Sequence, residues 1–266
     1  MSDSKPHILA VTLARGGSKG VPRKNLRLLN GHPLIAYTVV EAKRAKLVSR
    51  VIVSSDDDEI RLAAIQYGAE APFARPADIS TDTARPIDGD MHALVWAEAD
   101  EGREYDYFVE LLCTNPMKTA EDIDAALQKL ITTKADSVIA VARLEDHHPI
   151  RIKKIVDDRI VDFCFPEIPE SRRQDLKPDA YIRAGAIYAA PRRMTMKGIR
   201  YGTTESRPYI LPPNKAVNVD SEEDLLLADF LLKKSPRNYV QPVMSRHEAE
   251  ERLLALKARE AQRVRP

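Results

Sequence analysis

The chain has 266 residues, 44% of them hydrophobic and 30% charged, which is enough to bury one sizeable core with a smaller appended lobe. Its 41 basic residues balance 40 acidic ones, so the net charge of +1 does not favour nucleic acid or an anionic membrane surface as a partner. No stretch looks like a signal peptide or a membrane span, and Cys113 and Cys164 lack CxxC spacing, so we expect a cytoplasmic protein without a zinc site or disulfide scaffold.

Apolar runs and helix-like segments alternate through the first half of the chain. The predicted strands are 7–14, 50–54, 106–112 and 137–143, and the predicted helices are 33–46, 55–67, 82–100 and 120–132. Thr119 and Asp122 fit a capping box at the start of the last of these helices. Such alternation indicates an α/β fold with a mostly parallel sheet flanked by helices, in which ligands bind at the carboxyl ends of the strands.

The alternation breaks at residues 146–180, which we interpret as an inserted arm. The predicted segments from there are a short β-like piece at 151–156, a charged, proline-containing stretch at 166–178, strands at 181–190 and 216–219, and helices at 221–233 and 246–264. The last helix is highly charged and has no wide apolar stripe. We therefore expect one domain over 1–234 and a charged helical tail, 235–266, that is peripheral to the chemistry.

The segment Ala14 to Asn25, ARGGSKGVPRKN, follows the first predicted strand directly. Its three glycines allow a tight turn close to a ligand, and its four cations fall within ten residues, which suits a polyphosphate. The spacing matches neither a Walker A loop nor a dinucleotide GxGxxG fingerprint. The alternative is an ordinary strand-to-helix connection with solvated charges.

This string resembles the opening motif of the acylneuraminate cytidylyltransferase family, the CMP-sialic acid synthetases. The resemblance extends over roughly 7–234 and implies a Rossmann-like nucleotidyltransferase fold with a small inserted dimerisation arm. It places Arg15 and Lys24 on the triphosphate of CTP, as catalytic residues, and Asn25 on the nucleoside. The remaining expected nucleotide-binding residues of this loop are Ala14, Gly16, Gly17, Ser18 and Lys19.

A second stretch, RPADISTDTARPID, resembles the family segment that lies over the cytidine. It suggests Arg75 and Thr83 as nucleotide-binding residues, with Asp82 as a partner. The alternative is that Asp82 and Thr83 only cap the next helix. Pro86 stands where family members often carry a small hydroxyl residue, so one contact to the base is expected to be missing.

Two further stretches resemble the acceptor side of the family's site. In ELLCTNPMKTAEDID, Cys113 and Asn115 stand where family members carry a sugar-recognising glutamine, and Cys113 has no activating neighbour in sequence that would make it a catalytic thiol. The second of the two, RRQDLKPDAYIRAGAIY, resembles a family segment whose residues form dimer contacts and bind the sugar. This suggests Arg173, Gln174 and Tyr181 as sugar or partner contacts, the alternative being that they are merely solvated.

The stretch KAVNVDSEED corresponds to the family's Ile-Asp-Ile-Asp motif, whose paired carboxylates suit a Mg²⁺ ion that is also held by substrate phosphates. Here the expected metal ligands are Asn218 and Asp220, and Asp220 is also expected to be catalytic. Ser221 and Asp224 form a capping box, so the alternative is that Asp220 only precedes a helix.

The resemblance implies an enzyme that transfers CMP from CTP to the anomeric hydroxyl of a 3-deoxy-2-keto sugar acid, such as a sialic acid-like nonulosonic acid, and releases pyrophosphate. It also implies Mg²⁺ as cofactor and a homodimer. Two alternatives stay open: transfer to an eight-carbon octulosonate-type sugar, and a CTP-binding regulatory protein that has lost catalysis. The departures at Cys113, Ala184 and Asn218 keep the second alternative open.

Overall fold

A six-stranded sheet forms the centre of the molecule in this computed structural model, which describes residues 5–18, 20–144, 147–166 and 172–263. The strands are β1 Ile8–Leu13, β2 Leu28–Leu29, β3 His32–Pro33, β4 Arg50–Ser54, β5 Tyr107–Leu111, β6 Ser137–Arg143, β7 Lys153–Val156, β8 Arg159–Asp162, β9 Tyr181–Pro191 and β10 Ser206–Leu211. The helices are α1 Leu34–Arg44, α2 Asp58–Gln66, α3 Pro86–Glu101, α4 Ala120–Thr133, α5 Arg192–Met196, α6 Glu222–Lys234 and α7 Arg246–Arg263.

The order of strands in the sheet is β10-β6-β9-β5-β1-β4. All neighbours are parallel except β9, which runs antiparallel to both β5 and β6. The prediction of a mostly parallel sheet is therefore confirmed.

Helices cover both faces of the sheet because the buried strands carry apolar residues on both of their faces. In β1, Ile8 and Ala10 join the core cluster on the α1 and α4 side, whereas Leu9 and Val11 join the cluster that packs under α3. All four side chains are almost completely buried. A strand buried on both faces reads as a continuous apolar run, as observed.

Two of the predicted elements were wrong. Residues 216–219 do not form a strand, and the edge position of the sheet is taken instead by β10, which the sequence analysis missed. Helix α3 begins at Pro86 rather than at residue 82, and its N-cap, Arg85, makes no side-chain capping bond. Neither Asp82 nor Thr83 therefore caps this helix. The capping boxes predicted at Thr119 and Ser221 are both confirmed.

The arm and the tail lie outside the central sheet. Strands β7 and β8 pair as an antiparallel hairpin whose residues are all exposed. Helix α7 packs against α2 and buries Ala249 and Leu253. Within the described ranges, no helix is both long and apolar enough to cross a membrane.

Candidate active site

A cleft of about 600 Å³ opens at the carboxyl ends of β1 and β5. This is the edge at which ligands bind in open α/β sheets. Its lining combines residues from most of the stretches singled out in the sequence: Leu13, Arg15, Ser18, Gly20, Lys24, Asn25, Arg75, Ile79, Thr81, Asp82, Ala84, Arg85, Pro86, Gly89, Glu110, Leu112, Cys113, Thr114, Arg200 and Asp220.

The loop after β1 packs closely against neighbouring residues at two of its glycines. The amide of Gly16 donates a hydrogen bond to Asp56 Oδ1 at 3.0 Å, and a Cβ at Gly16 would lie 2.7 Å from Asp57 Oδ2. A Cβ at Gly20 would collide with the carbonyl oxygen of Asp220. Side chains at these two positions would therefore displace the loop from the cleft. Lys19 lies outside the described residues.

Two cations of this loop reach the cleft, each held by a carboxylate. Arg15 Nη1 lies 2.5 Å from Asp82 Oδ1. Lys24 Nζ lies 2.9 Å from Asp220 Oδ1 and donates a second hydrogen bond to the carbonyl of Val219 at 2.7 Å. Both side chains are partly exposed. An incoming polyanion can compete with these carboxylates for charge-assisted hydrogen bonds.

Asn25 and Cys113 join the glycine-rich loop to the loop after β5. The buried amide of Asn25 donates to the carbonyl of Arg15 at 3.1 Å and accepts from the Cys113 thiol at 2.8 Å. Burial raises the pKa of the Cys113 thiol, which keeps it protonated and able to donate. Both residues line the cleft, and Cys113 is too buried for a reactive cysteine.

Arg75 is buried at the edge of the cleft. It donates to Ser80 Oγ at 3.0 Å and to the carbonyl of Ser54 at 3.3 Å, and it lies 3.8 Å from Asp56. Desolvation lowers the pKa of its guanidinium, although an arginine remains charged at neutral pH. Asp82 also lines the cleft, whereas Thr83 is exposed outside the lining, with its hydroxyl 3.3 Å from that of Thr81.

Asn218 and Asp220 come together on an irregular segment rather than on a strand. The segment is tied to the loop after β5 by a 2.7 Å hydrogen bond from the amide of Val219 to the carbonyl of Thr114. Asn218 Nδ2 donates to Asp220 Oδ2, while Asn218 Oδ1 is buried and has no hydrogen-bond partner among the described residues. An amide oxygen left unsatisfied beside a carboxylate is a donor set that fits Mg²⁺.

The remaining predicted residues, like Gly16, Asn115 and Asn218, are not part of the cleft lining. Ala14 is buried and its amide donates to the carbonyl of Ser54, and Gly17 is not part of the lining. Arg173 and Gln174 line a separate cavity of about 170 Å³. Tyr181 is exposed on β9. Within one chain, the structure does not bring Arg173, Gln174 or Tyr181 to the nucleotide loop.

Asn115 is fully buried and supports the loop after β5 together with Lys118. The Asn115 amide donates to the carbonyl of Lys215 at 2.9 Å and accepts from the Lys118 amide. Lys118 Nζ donates to Thr38 Oγ1, to the carbonyl of Leu112 and to the carbonyl of Asn115, all within 2.8 Å. Burial lowers the pKa of Lys118 to about 7. These residues hold the loop in place without touching the cleft.

Three charged residues that line the cleft were not predicted from the sequence: Arg85, Glu110 and Arg200. Glu110 and Arg200 form a salt bridge to each other. Glu110 is buried in β5, and Arg200 follows α5 with its guanidinium 3.8 Å from the ring centroid of Tyr188. A single charge within the apolar run YFVELL was the available signal for Glu110. Nothing in the sequence pattern pointed to Arg200.

The sequence and the fold both match known proteins. Residues 9–201 match the family model described as cytidylyltransferase. The chain is 31% identical over 226 residues to the pseudaminic acid cytidylyltransferase of Campylobacter jejuni, covering 85% of this chain and 96% of that protein. It is 30% identical over 232 residues to the CMP-N,N'-diacetyllegionaminic acid synthase of Legionella pneumophila, again covering 85% and 96%.

Among solved structures, the fold resembles that of a CMP:2-keto-3-deoxy-manno-octonic acid synthetase in complex with CTP. The TM-score is 0.62 at 19% sequence identity, and the match covers 86% of this chain and 99% of the other. The 4-diphosphocytidyl-2C-methyl-D-erythritol synthase of Anaerococcus prevotii gives a TM-score of 0.59 at 18% identity, covering 86% and 97%. At these identities the likeness concerns the fold.

Proposed function

The chain belongs to the cytidylyltransferase family and is a nucleotidyltransferase, and we propose that it transfers CMP from CTP to the anomeric hydroxyl of a nonulosonic acid. The observation that carries the proposal is the contact of Lys24 with Asp220, at 2.9 Å, which joins a cationic glycine-rich loop to a candidate metal ligand 196 residues later in the chain. This contact lies in a cleft large enough for a nucleotide and part of a sugar.

The nucleotide is held, in this proposal, by the two sides of the cleft. Arg15 and Lys24 contact the triphosphate, since they are the cations in the described part of the loop that reach the cleft. Arg75 and Asp82 lie on the opposite segment, where the cytidine is expected. Asn25 acts indirectly on the nucleoside side, because its amide is already committed to Arg15 and Cys113.

The reaction forms one bond and breaks one. The anomeric C2 hydroxyl oxygen of the acceptor attacks the α-phosphorus of CTP, the bond from that phosphorus to the bridging oxygen breaks, and pyrophosphate leaves while the hydroxyl proton is released. Arg15 and Lys24 neutralise charge that develops toward the leaving pyrophosphate. Phosphoryl-type transfer depends mainly on such positioning and electrostatic stabilisation.

Asp220 and Asn218 are the residues that would hold Mg²⁺. The described residues contain no cluster of three His, Cys, Asp or Glu side chains that could bind a metal, so the remaining ligands would be nucleotide phosphates and water. When bound, the ion neutralises phosphate charge and lowers the pKa of a coordinated hydroxyl. The Asp220 carboxylate is paired with the Lys24 ammonium in this structure and would give up that contact to hold the metal.

The relatives support a nonulosonic acid as acceptor. Two proteins at about 30% identity, matched over nearly their whole length, are named for pseudaminic and legionaminic acids. The octulosonate alternative has support only from the fold.

The test is pyrophosphate release from CTP and Mg²⁺ with a panel of acids: pseudaminic, legionaminic, N-acetylneuraminic and 3-deoxy-octulosonic acid. We expect turnover with at least one nonulosonic acid and none without acceptor. CTP binding without turnover on any acid would contradict the proposal and favour a regulatory protein.

Lys24→Ala provides a second test of the same proposal. We expect its KM for CTP to rise about tenfold or more, because a charge-assisted contact to phosphate is lost, while the KM for the acid changes little. The control is Lys43→Ala, which removes an exposed lysine of α1 outside the cleft. Unchanged CTP kinetics in folded Lys24→Ala would remove Lys24 from the phosphate site.

We also propose a homodimer in which the arm contacts the partner subunit. Arg173, Gln174 and Tyr181 would then act on the partner's acceptor site, which accounts for their distance from the cleft of their own chain.

A further inference from the structure

Three charged side chains form a buried cluster beneath one part of the cleft. Glu110 and Arg200 line the cleft itself. Asp90, on α3, lies behind them and shares with them a void of about 10 Å³. The contacts proposed for the nucleotide and the metal use none of the three.

Arg200 is held rigidly with one edge left available. Its Nε and Nη2 both lie against the same oxygen of Glu110, and its guanidinium stacks on the ring of Tyr188 at 3.8 Å. Nη1 makes no hydrogen bond to any described residue, and the side chain keeps 18% of its surface exposed. A guanidinium bound along its Nε–Nη2 edge still has parallel N–H groups on its Nη1–Nη2 edge, which suit a carboxylate.

Asp90 completes the support beneath this pair. It is fully buried, and as an ionised carboxylate it accepts no hydrogen bond from any described residue at either oxygen. Burial, followed by the charge of Glu110, raises its pKa well above the usual range. A protonated Asp90 can donate to Glu110, which satisfies one of its two carboxyl oxygens and leaves one anion facing one cation.

We propose that Arg200 is a specificity-determining residue that binds the carboxylate of the acceptor, and that Glu110 and Asp90 are positioning residues that hold its guanidinium in place. The proposal rests on the proposed function, since a 2-keto sugar acid carries its carboxylate on the carbon next to the reacting anomeric centre. The other cleft arginines are less suited to this role. Arg15 lies on the glycine-rich loop and is assigned to the triphosphate. Arg75 is committed to Ser54 and Ser80, and Arg85 is an exposed side chain paired with Asp88.

The experiment compares the acceptor acid with its methyl ester, in which the carboxylate charge is lost and the rest of the sugar is unchanged. The wild-type enzyme should prefer the acid by about tenfold to a hundredfold in kcat/KM, the range of a charge-assisted paired contact. In Arg200→Met, kcat/KM for the acid should fall by the same factor, that for the ester should change little, and the KM for CTP should stay within about twofold.

Asp90→Asn and Arg200→Lys separate recognition from folding. Asp90→Asn keeps a neutral donor beside Glu110, so the acid-to-ester preference should be retained. Arg200→Lys keeps the charge without the planar fork, so the preference should fall without vanishing. This variant also serves if Arg200→Met does not fold. The control is Arg193→Met, which removes an exposed arginine of α5 that is paired with Asp136 away from the cleft, and it should behave as wild type.

Two results would overturn the inference alone, and a third would overturn the proposed function with it. If the wild type turns over an acid but Arg200→Met or Arg200→Lys loses acid and ester activity equally, Arg200 is only structural and the inference is overturned. If the preference is unchanged in both, the carboxylate binds elsewhere and the inference is again overturned. If the wild type turns over no sugar acid, the proposed function fails and the inference fails with it.

Discussion

At the level of single residues, the pair formed by Asn218 and Asp220 brings one negative charge where a pair of carboxylates would bring two. The amide oxygen of Asn218 can ligate Mg²⁺ without contributing charge, so the site should bind the ion weakly and depend on the nucleotide phosphates. Asp220→Ala should therefore abolish turnover at any practical Mg²⁺ concentration. Asn218→Asp should be tolerated and should lower the Mg²⁺ concentration needed for half-maximal rate.

The measurement is a Mg²⁺ titration of the initial rate, with folding checked by circular dichroism. Asn218→Asp should also melt lower than wild type in EDTA, because Asn218 now donates to Asp220 and two carboxylates would repel there. Glu222→Gln is the matched control, since Glu222 is a nearby acid that pairs with Arg27 outside the cleft. Near-normal activity in Asp220→Ala would show that the metal is held elsewhere.

Asp90 should make the protein less stable as the pH rises. Its pKa is raised in the folded state, first by burial and then by Glu110, so the folded protein retains a proton that the unfolded chain has released. Arg200 and Arg75 also face it and oppose this shift. The stabilising contribution is complete below the unfolded pKa, about 4, and is lost as the pH rises through the folded value, by up to about 1.4 kcal/mol per pH unit.

Asp90→Asn removes this proton and keeps a donor for Glu110. The variant should exceed wild type in free energy of unfolding at pH 8, and the difference should shrink or reverse toward pH 4. Urea unfolding at several pH values measures it. Asp88→Asn, on the same helix and paired with Arg85, should give no such gain at high pH. If the free energy of unfolding had the same pH dependence in wild type and Asp90→Asn, Asp90 would be ionised in the folded protein and its pKa would not be raised.

At the level of elements, helix α7 touches the segment that carries Arg75. Glu260 Oε1 accepts a 2.7 Å hydrogen bond from the amide of Ala74, the residue before Arg75, and Glu260 Oε2 lies 3.5 Å from the buried Arg61. The tail that the sequence analysis placed at the periphery therefore contacts a cleft-lining segment. Glu260→Ala should raise the KM for CTP several-fold and destabilise the fold by about 1 kcal/mol, the size of one hydrogen bond.

Steady-state kinetics and thermal melts of this variant should be compared with those of Glu251→Ala, which removes an exposed glutamate of α7 whose partner is His247. Equal CTP kinetics in the two variants would show that α7 acts on stability alone.

The elements that the sequence predicted well are those whose signals are local. Buried strands such as β1 read as apolar runs, and the capping boxes at Thr119 and Ser221 mark real helix starts. Strand β10 was missed because it contains Pro208 and because its residues are only partly buried, so they form no apolar run. Proline is nevertheless compatible with the edge position that β10 occupies. Helix α3 begins at Pro86 because proline suits the first helical position.

At the level of the whole molecule, the nucleotide side of the cleft could be predicted and the buried cluster could not. Parallel strands bring their carboxyl ends to one edge, so Arg15 and Cys113 were bound to lie near each other once the strands were recognised. Asp90, Glu110 and Arg200 belong to a helix, a strand and a loop after α5, and no spacing rule relates their positions. Their contact depends on how α3 packs on the sheet, which is a tertiary property.

The arm should hold two copies of the chain together. The β7–β8 hairpin exposes a cross-strand pair, Ile155 and Ile160, at 73% and 75%, and Phe163 and Phe165 beyond it are more than half exposed. An isolated two-stranded hairpin is marginally stable, and an exposed apolar patch of this kind marks an interaction site. A second copy is the proposed partner because Arg173 and Gln174, beside the hairpin in sequence, lie outside the cleft of their own chain.

Sedimentation equilibrium should give twice the chain mass of 29.8 kDa for the wild type, and the double variant Ile155→Asp, Ile160→Asp should be monomeric. The monomer should still bind CTP, since that side of the cleft comes from one chain, but acid turnover should fall sharply because the partner's arm is missing. Lys154→Ser, on the other face of the hairpin, is the control and should remain dimeric. A wild type that is monomeric and fully active would rule out the shared site, and the acceptor would then have to be recognised by residues of one cleft alone.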